Sequence, residues 1–245
     1  MTLLSVQSVC KNFGGLRALN NVSLAVAAGS IHGLMGANGA GKTTLFSIIA
    51  GNQPASSGRV TLNGVDLLGM SPDRICKAGI ARTFQIVRPF AGMTVRENIE
   101  TAVLFGRAAA PAAGDVPDLV DEVLNDVGLA DRADQPAGTL TLSGRKQLEV
   151  ARALGTEPTL LMLDEVMAGL TPAEVDEMMA VLRRVKDKRG LTILIIEHVV
   201  SALSTLSDRI TVLHHGEKIA EGSADDIAND ETVQAAYFGV SDDDE

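Results

Sequence analysis

The segment Gly36-Ala37-Asn38-Gly39-Ala40-Gly41-Lys42-Thr43 fits the phosphate-binding loop pattern G-x-x-x-x-G-K-[ST] without a gap. Its surroundings narrow the fold. The apolar run Ile31 to Met35 predicts a strand leading in, and Thr44 to Ala50 predicts a helix leading out. Glycines let successive backbone N–H groups turn inward around phosphate oxygens. The positive end of the following helix points at the same anion. Lys42 can reach the β- and γ-phosphates, and the Thr43 hydroxyl can ligate Mg²⁺. The bland alternative is a glycine-rich turn that binds nothing. A strand before, a helix after, and both Lys and Thr in place weigh against it, so the chain is expected to bind a nucleoside triphosphate.

A length of 245 residues suits one large domain or a domain with an inserted lobe. Hydrophobic residues make up 46% of the chain and aromatics only 3%, which predicts an aliphatic core. The net charge of −10 argues against a broad nucleic-acid-binding face. Cys10 and Cys76 lack metal-ligand spacing and read as buried or idle thiols in a reducing compartment. The N-terminal residues lack a basic region followed by a long apolar run. No apolar stretch approaches the roughly 18–20 residues that span a bilayer. A cytoplasmic location is expected, with any membrane role reached through a partner.

Strands are predicted at Leu3–Val6, Val22–Ala27, Ile31–Met35, Arg59–Leu62 and Ile80–Phe84. Ser71-Pro72 opens a short helix. Thr94-Val95-Arg96-Glu97 is a capping box that opens another. Gly106 to Pro117 is rich in Ala, Pro and Gly and reads as a loop. Val116, Leu119, Val120, Val123, Leu124 and Val127 recur at helical spacing, and a further helix is expected from about Gly144 to Leu154. Residues near 87–151 therefore read as helical. Strand–helix alternation then resumes. Leu160–Leu163 is a buried strand, and Thr171-Pro172-Ala173-Glu174 caps a helix to about Lys188. Thr192–Ile196 and Arg209–Leu213 are further strands. The fold class is α/β, a core interrupted by a helical lobe. Ser241 to Glu245 form an acidic tail.

The apolar strand Leu160-Leu161-Met162-Leu163 ends in Asp164-Glu165. Asp164 can hold Mg²⁺, and Glu165 can polarise an attacking water as general base. The bland reading is an acidic strand end that only meets solvent. Gln85 follows the strand at Ile80–Phe84, where an amide can contact Mg²⁺ or the attacking water. His198 follows Thr192–Ile196, where an imidazole can hydrogen-bond a γ-phosphate. Phe13 can stack on adenine. Taken singly, each of these last three is more simply structural.

In this order the features resemble one family, the ATP-binding subunits of ABC transporters, from about Leu3 to Gly239. The resemblance implies a P-loop NTPase core (1–86 and 152–240) with N-terminal antiparallel strands and an inserted helical subdomain (about 87–151). It implies ATP and Mg²⁺ as ligands and ATP hydrolysis as the reaction. Gly36 to Thr43, with Thr44, is then the phosphate site. Gln85 is the glutamine switch, Asp164 the Mg²⁺ aspartate, Glu165 the catalytic glutamate, His198 the switch histidine and Phe13 the adenine-stacking aromatic. Asn12-Phe13-Gly14-Gly15-Leu16, Arg82-Thr83-Phe84-Gln85, Met167-Ala168-Gly169-Leu170-Thr171 and Tyr237-Phe238-Gly239 are similar to the importers of branched-chain amino acids, a group that includes urea and other amide-type importers. The implied partners are a second ATP-binding subunit, two membrane-spanning permease subunits and, indirectly, a solute-binding protein, at the cytoplasmic face of the inner membrane. No nucleic acid is expected. Segment 86–99, with Arg88, Arg96 and the preceding Arg82, is the candidate contact with a membrane partner.

The signature loop departs from the family's Leu-Ser-Gly-Gly-Gln. Counting back from Ala151-Arg152-Ala153-Leu154 without gaps places it at Leu140-Thr141-Leu142-Ser143-Gly144. The alternative, Leu142-Ser143-Gly144-Arg145-Lys146, shortens the helix by two residues and rotates its contact face, so the gapless register is preferred. Thr141, Ser143 and Gly144 would then face ATP held by the other subunit. The second Gly and the Gln are lost in either register, which implies a heterodimer whose partner carries a regular signature. An ABC exporter or lipid-transport ATPase, a soluble ABC ATPase and, outside the superfamily, a small-molecule kinase are the rival readings.

Overall fold

Hydrophobic alternation with two interruptions shapes the N-terminal strands. The computed structural model describes residues 1–83 and 89–238. In chain order the elements are β1 (Thr2–Phe13), β2 (Leu16–Ala27), β3 (Ile31–Met35), α1 (Lys42–Ile49), β4 (Ser57–Leu62), β5 (Val65–Asp66), α2 (Pro72–Lys77) and β6 (Ile80–Arg82). There follow α3 (Val95–Phe105), α4 (Val116–Val127), α5 (Leu142–Gly155), β7 (Leu160–Asp164), α6 (Pro172–Arg189) and β8 (Thr192–Ile196). The chain continues through α7 (Val200–Leu206), β9 (Arg209–His214), β10 (Glu217–Gly222), α8 (Ala224–Ala228) and α9 (Glu231–Phe238). Two units result, Met1–Gly69 with Leu194–Glu245, and Met70–Ile193, so the division falls inside β8.

The first unit carries an antiparallel sheet in the order β2-β1-β4-β5. Buried residues in β1 step from Val6 to Val9, and in β2 from Leu19 to Val22, three positions rather than two. Ser8 (φ 48°) and Asn21 (φ 55°) adopt left-handed backbone inside these gaps, and the register shifts between Val6 and Val9. Each irregularity returns the later residues to the core face. A strict period of two therefore ends β1 at Val6, whereas the strand runs on to Phe13. In the same unit β9 lies between antiparallel β10 and parallel β3. All five residues of β3 are buried.

In the second unit β6 pairs parallel with β7. The helices α3, α4 and α5 pack on one another through buried Val95, Ile99, Val103, Val120, Val123, Leu124, Val127, Leu148 and Leu154. Both capping boxes form as expected. Thr94 and Glu97 close one at α3, and Thr171 and Glu174 close the other at α6. Three boundaries differ from expectation. The helix expected from Gly144 starts at Leu142, because Thr141 caps it. The loop expected through Pro117 ends before Val116, because Pro in the first turn starts α4. β6 stops at Arg82. Gly239 and the acidic tail lie outside the described residues.

One polar anchor in this unit escaped the sequence reading. Asp126 on α4 is buried and accepts from Lys188 Nζ at 2.7 Å and from Arg189 Nε at 2.7 Å. Arg184 Nε donates to its backbone carbonyl at 3.1 Å. These bonds tie α4 to the last turns of α6. Removing one partner of such a group strands the others.

The first unit has a titratable group in its core. His32 of β3 is buried and hydrogen-bonds Thr211 Oγ1 of β9 at 2.9 Å. Burial pushes its pKa down from 6.5 to about 4. The unfolded chain therefore takes up a proton near pH 6.5 that the folded chain refuses until about pH 4. The stabilisation is complete above pH 6.5 and is lost as the pH falls toward 4. At pH 4.5 the loss relative to pH 7 amounts to about 2.5 kcal/mol. His32→Gln should remove this component, so denaturant unfolding at the two pH values should show a smaller acid loss than in the parent. An equal loss would contradict the assignment.

Candidate functional site

The phosphate loop begins where β3 ends. A Cβ on Gly36 would lie 2.5 Å from the Leu213 carbonyl oxygen and 2.9 Å from Ala40 Cβ. A Cβ on Gly41, whose φ is +103°, would lie 2.7 Å from Leu19 Cδ2 and 2.8 Å from the Ala18 carbonyl oxygen. Neither position admits a side chain, so the first and sixth residues of the motif are glycine for steric reasons. Gly216 N donates to Ala40 O at 3.1 Å, and Asn20 N donates to Gly216 O at 2.8 Å. The loop is thus held between β2 and the β9–β10 turn. Ala37, Asn38 and Gly39 stay exposed at its rim.

Lys42 is buried and folds back over the loop, donating from Nζ to Gly36 O at 2.6 Å and to Ala37 O at 3.0 Å. Gly41 is the N-cap of α1, with no side-chain cap and no acid in the first turn. Nothing on the side chains competes with an anion for this positive end. Thr43 is exposed and Thr44 half-buried on the same turn.

In the same unit, Phe13 at the end of β1 is 45% exposed. Lys11 Nζ lies 4.8 Å from its ring centroid and donates to Pro54 O at 2.7 Å. The ammonium covers one part of the ring and leaves the exposed part for stacking. His198 is exposed on the turn between β8 and α7, behind buried Glu197.

The carboxylates belong to the second unit. β7 is buried throughout and ends at Asp164, itself buried. Asp164 Oδ2 accepts from the Arg82 guanidinium at 2.7 Å. Asp164 N donates to Thr83 Oγ1 at 3.1 Å, and Thr83 N donates to Met162 O at 2.9 Å. Asp164 Oδ1 is buried and lacks a hydrogen-bond partner among the described residues. A buried carboxylate oxygen in that state suits a hard divalent cation or a water of its shell. Arg82, expected on a partner-facing surface, is instead half-buried in this ion pair, and Arg96 pairs with Asp121 at 2.6 Å.

Glu165 is half-buried and adopts φ +53°, left-handed backbone for a non-glycine residue. Such a conformation costs on the order of 1–3 kcal/mol and persists where surroundings impose it. At α5, Thr141 Oγ1 accepts from Gly144 N at 3.2 Å. The cap hydroxyl therefore sits at the second position of the gapless signature register. Ser143 and Gly144 are buried in the first turn, and Leu142 is 46% exposed. Gln85 lies outside the described residues. Sequence reasoning missed Thr83, Arg82 and Lys146 as neighbours of the carboxylates. Arg82 ends β6, the partner of β7, and Thr83 follows it, and that adjacency was the available signal.

A family model described as ABC transporter matches residues 19–168. The chain is an ATP-binding cassette of the ABC transporter family. A second model, described as branched-chain amino acid ATP-binding cassette transporter, matches residues 217–243 of the cassette. The cassette is 37% identical over 249 residues to the high-affinity branched-chain amino acid transport ATP-binding protein LivG of Salmonella typhimurium, covering 97% of this chain and 98% of that protein. It is 34% identical to the corresponding BraF protein of Pseudomonas aeruginosa, with the same coverage. Among solved structures, a nucleotide-free ATP-binding cassette from an ABC transporter superposes with a TM-score of 0.87 at 31% identity, covering 98% of this chain and 100% of that one. An ADP-bound cassette superposes with a TM-score of 0.86 at 30% identity, with the same coverage. The cassette is thus an α/β P-loop ATPase of the ABC type and acts as the ATP-hydrolysing subunit of a transporter. Among its described residues no helix is long and apolar enough to cross a membrane.

Lys42→Ala removes the ammonium that the loop holds in place. A charge-assisted contact contributes about 1.5–3 kcal/mol, so ATP affinity should fall by roughly ten- to a hundredfold. Nucleotide titration of the folded variant measures this, and unchanged affinity would remove Lys42 from the phosphate site.

Proposed function

We propose that this cassette drives import of branched-chain amino acids or a similar small polar solute. The observation that carries this reading is the match of residues 217–243 to the branched-chain amino acid cassette model, which lies outside the general ABC match. Relatives named for that transport cover nearly the whole chain and add support.

In this reading Phe13 stacks on adenine, and Gly36 to Thr44 enclose the phosphates with backbone donors and Lys42. Thr43 and Asp164 would hold Mg²⁺, with Gln85 contributing its amide. A divalent cation held there would supply countercharge for the phosphates. Glu165 accepts a proton from the attacking water, and His198 donates a hydrogen bond to the γ-phosphate. Arg82 fixes the Asp164 rotamer through Oδ2, leaving Oδ1 for the cation. Thr141, Ser143 and Gly144 act on ATP bound by a second ATP-binding subunit. The irregular signature favours a heterodimer in which that subunit carries a regular one. Two permease subunits hold the pair at the cytoplasmic face of the membrane, and a solute-binding protein delivers the solute to them. ATP favours the closed pair because it binds that state more tightly than the open one.

Glu165→Gln should keep ATP affinity and lose turnover by about a hundredfold or more. Phosphate release from the purified complex, measured beside nucleotide titration, tests this. Substantial turnover would remove Glu165 from the role of base. Mild-detergent purification from native membranes should recover two polytopic proteins and a second ATP-binding subunit. Recovery with soluble or nucleic-acid partners alone would overturn the transport assignment.

A further inference from the structure

Lys146 lies one turn into α5, beyond the cap at Thr141, and is almost completely buried. Its Nζ donates to the backbone carbonyl of Glu165 at 2.8 Å. The same carbonyl accepts from Ala168 N at 3.3 Å across the turn that follows β7. Glu165 is the residue of this segment whose backbone is left-handed without being glycine. We infer that Lys146 is a positioning residue, whose ammonium holds the Glu165 peptide in its left-handed conformation and so aims the carboxylate.

The physical argument is local. A glutamate prefers right-handed or extended backbone. Rotation toward either would swing its carbonyl and redirect Cβ, moving the carboxylate with it. A buried ammonium on the carbonyl opposes that rotation, because the lysine would lose its acceptor where no water replaces it. The long stem of Lys146 is itself fixed by burial, so the anchor is stiff. The anchor also belongs to the helix whose first turn carries Thr141, Ser143 and Gly144. A shift of that helix end is therefore transmitted to the Glu165 peptide. This inference rests on the assignment of Glu165 as the base. It adds a link between the signature segment and the base within one chain, through Lys146 Nζ on the Glu165 carbonyl.

The test uses the full chain in its purified membrane complex. Lys146→Met keeps stem length and volume but removes the donor, and Lys146→Arg keeps a donor. Misplacing a reacting group by about 1 Å costs up to a hundredfold, so Lys146→Met should lower kcat by about tenfold or more. KM and the Kd for ATP should move less than about threefold, because only the catalytic step is touched. Lys146→Arg should recover much of the lost kcat. Amide exchange at Ala168 should quicken in Lys146→Met. If Lys146→Met does not fold, Lys146→Gln serves with the same expectation of a kcat-specific loss. An unchanged kcat, a loss of kcat matched by a loss of ATP affinity, or an arginine variant as slow as the methionine one would overturn the inference. Glu165→Gln in the same complex separates the two failures. A slow Glu165→Gln beside a normal Lys146→Met sinks the anchor alone, whereas an active Glu165→Gln sinks the role of base.

Discussion

The close approach of the phosphate loop to β2 and to the end of β9 is the constraint on which the first unit depends. At Gly36 the Leu213 carbonyl, and at Gly41 the Ala18 carbonyl, occupy the space of a side chain. That approach requires β9 parallel beside β3, with Met35 paired to Val212 so that Gly36 comes next to Leu213. It also requires β2 to bring Ala18 and Leu19 against the loop. The irregularity at Asn21 helps keep Leu19 and Val22 on one buried face. With the loop so pinned, Lys42 folds back onto the carbonyls of Gly36 and Ala37, and the start of α1 carries no competing side chain. Rigidity here has a chemical purpose, because donors already in place need little reorganisation when phosphate arrives.

The second unit solves a different problem. A carboxylate at the end of a buried strand must be paired and correctly turned. Arg82 supplies the countercharge to Asp164 Oδ2, and Thr83 fixes the backbone at the same position. One residue further on, the chain bends through left-handed Glu165, whose carbonyl is held by Lys146 and by Ala168. The two adjacent acids are therefore controlled by different means. Asp164 is held through its side chain, and Glu165 through its peptide. The Asp126 cluster secures α4 against α6 in the same unit.

Much of this was legible in the residues because the signals were local. The phosphate loop announces itself by spacing, the capping boxes at Thr94 and Thr171 by composition, and β7 by its unbroken apolar run. What was not legible depends on tertiary contact. The full length of β1 was hidden because the left-handed residue at Ser8 breaks the period of two. The start of α5 at Leu142 depends on the Thr141 hydroxyl capping Gly144 N, a contact that the local composition does not announce. Arg82 read as a surface charge because nothing in its neighbourhood reveals that Asp164, distant in sequence, is its partner. Lys146 was invisible as an anchor, since a lysine on a polar-looking helix ordinarily faces water. Gln85 falls outside the described residues, and its role remains the one implied by the resemblance.

The proposed mechanism assigns phosphate to the loop and a cation and a water to the acidic pair, and the family match makes the chain an ATP-binding cassette of a transporter. The most direct test is uptake of radiolabelled leucine into vesicles that hold the purified complex, with ATP on the side of the cassette and phosphate release followed in parallel. The account predicts uptake that requires ATP, rises with phosphate release and stops when this subunit is omitted. Uptake that proceeds without ATP, or phosphate release that leaves the solute where it was, would contradict it.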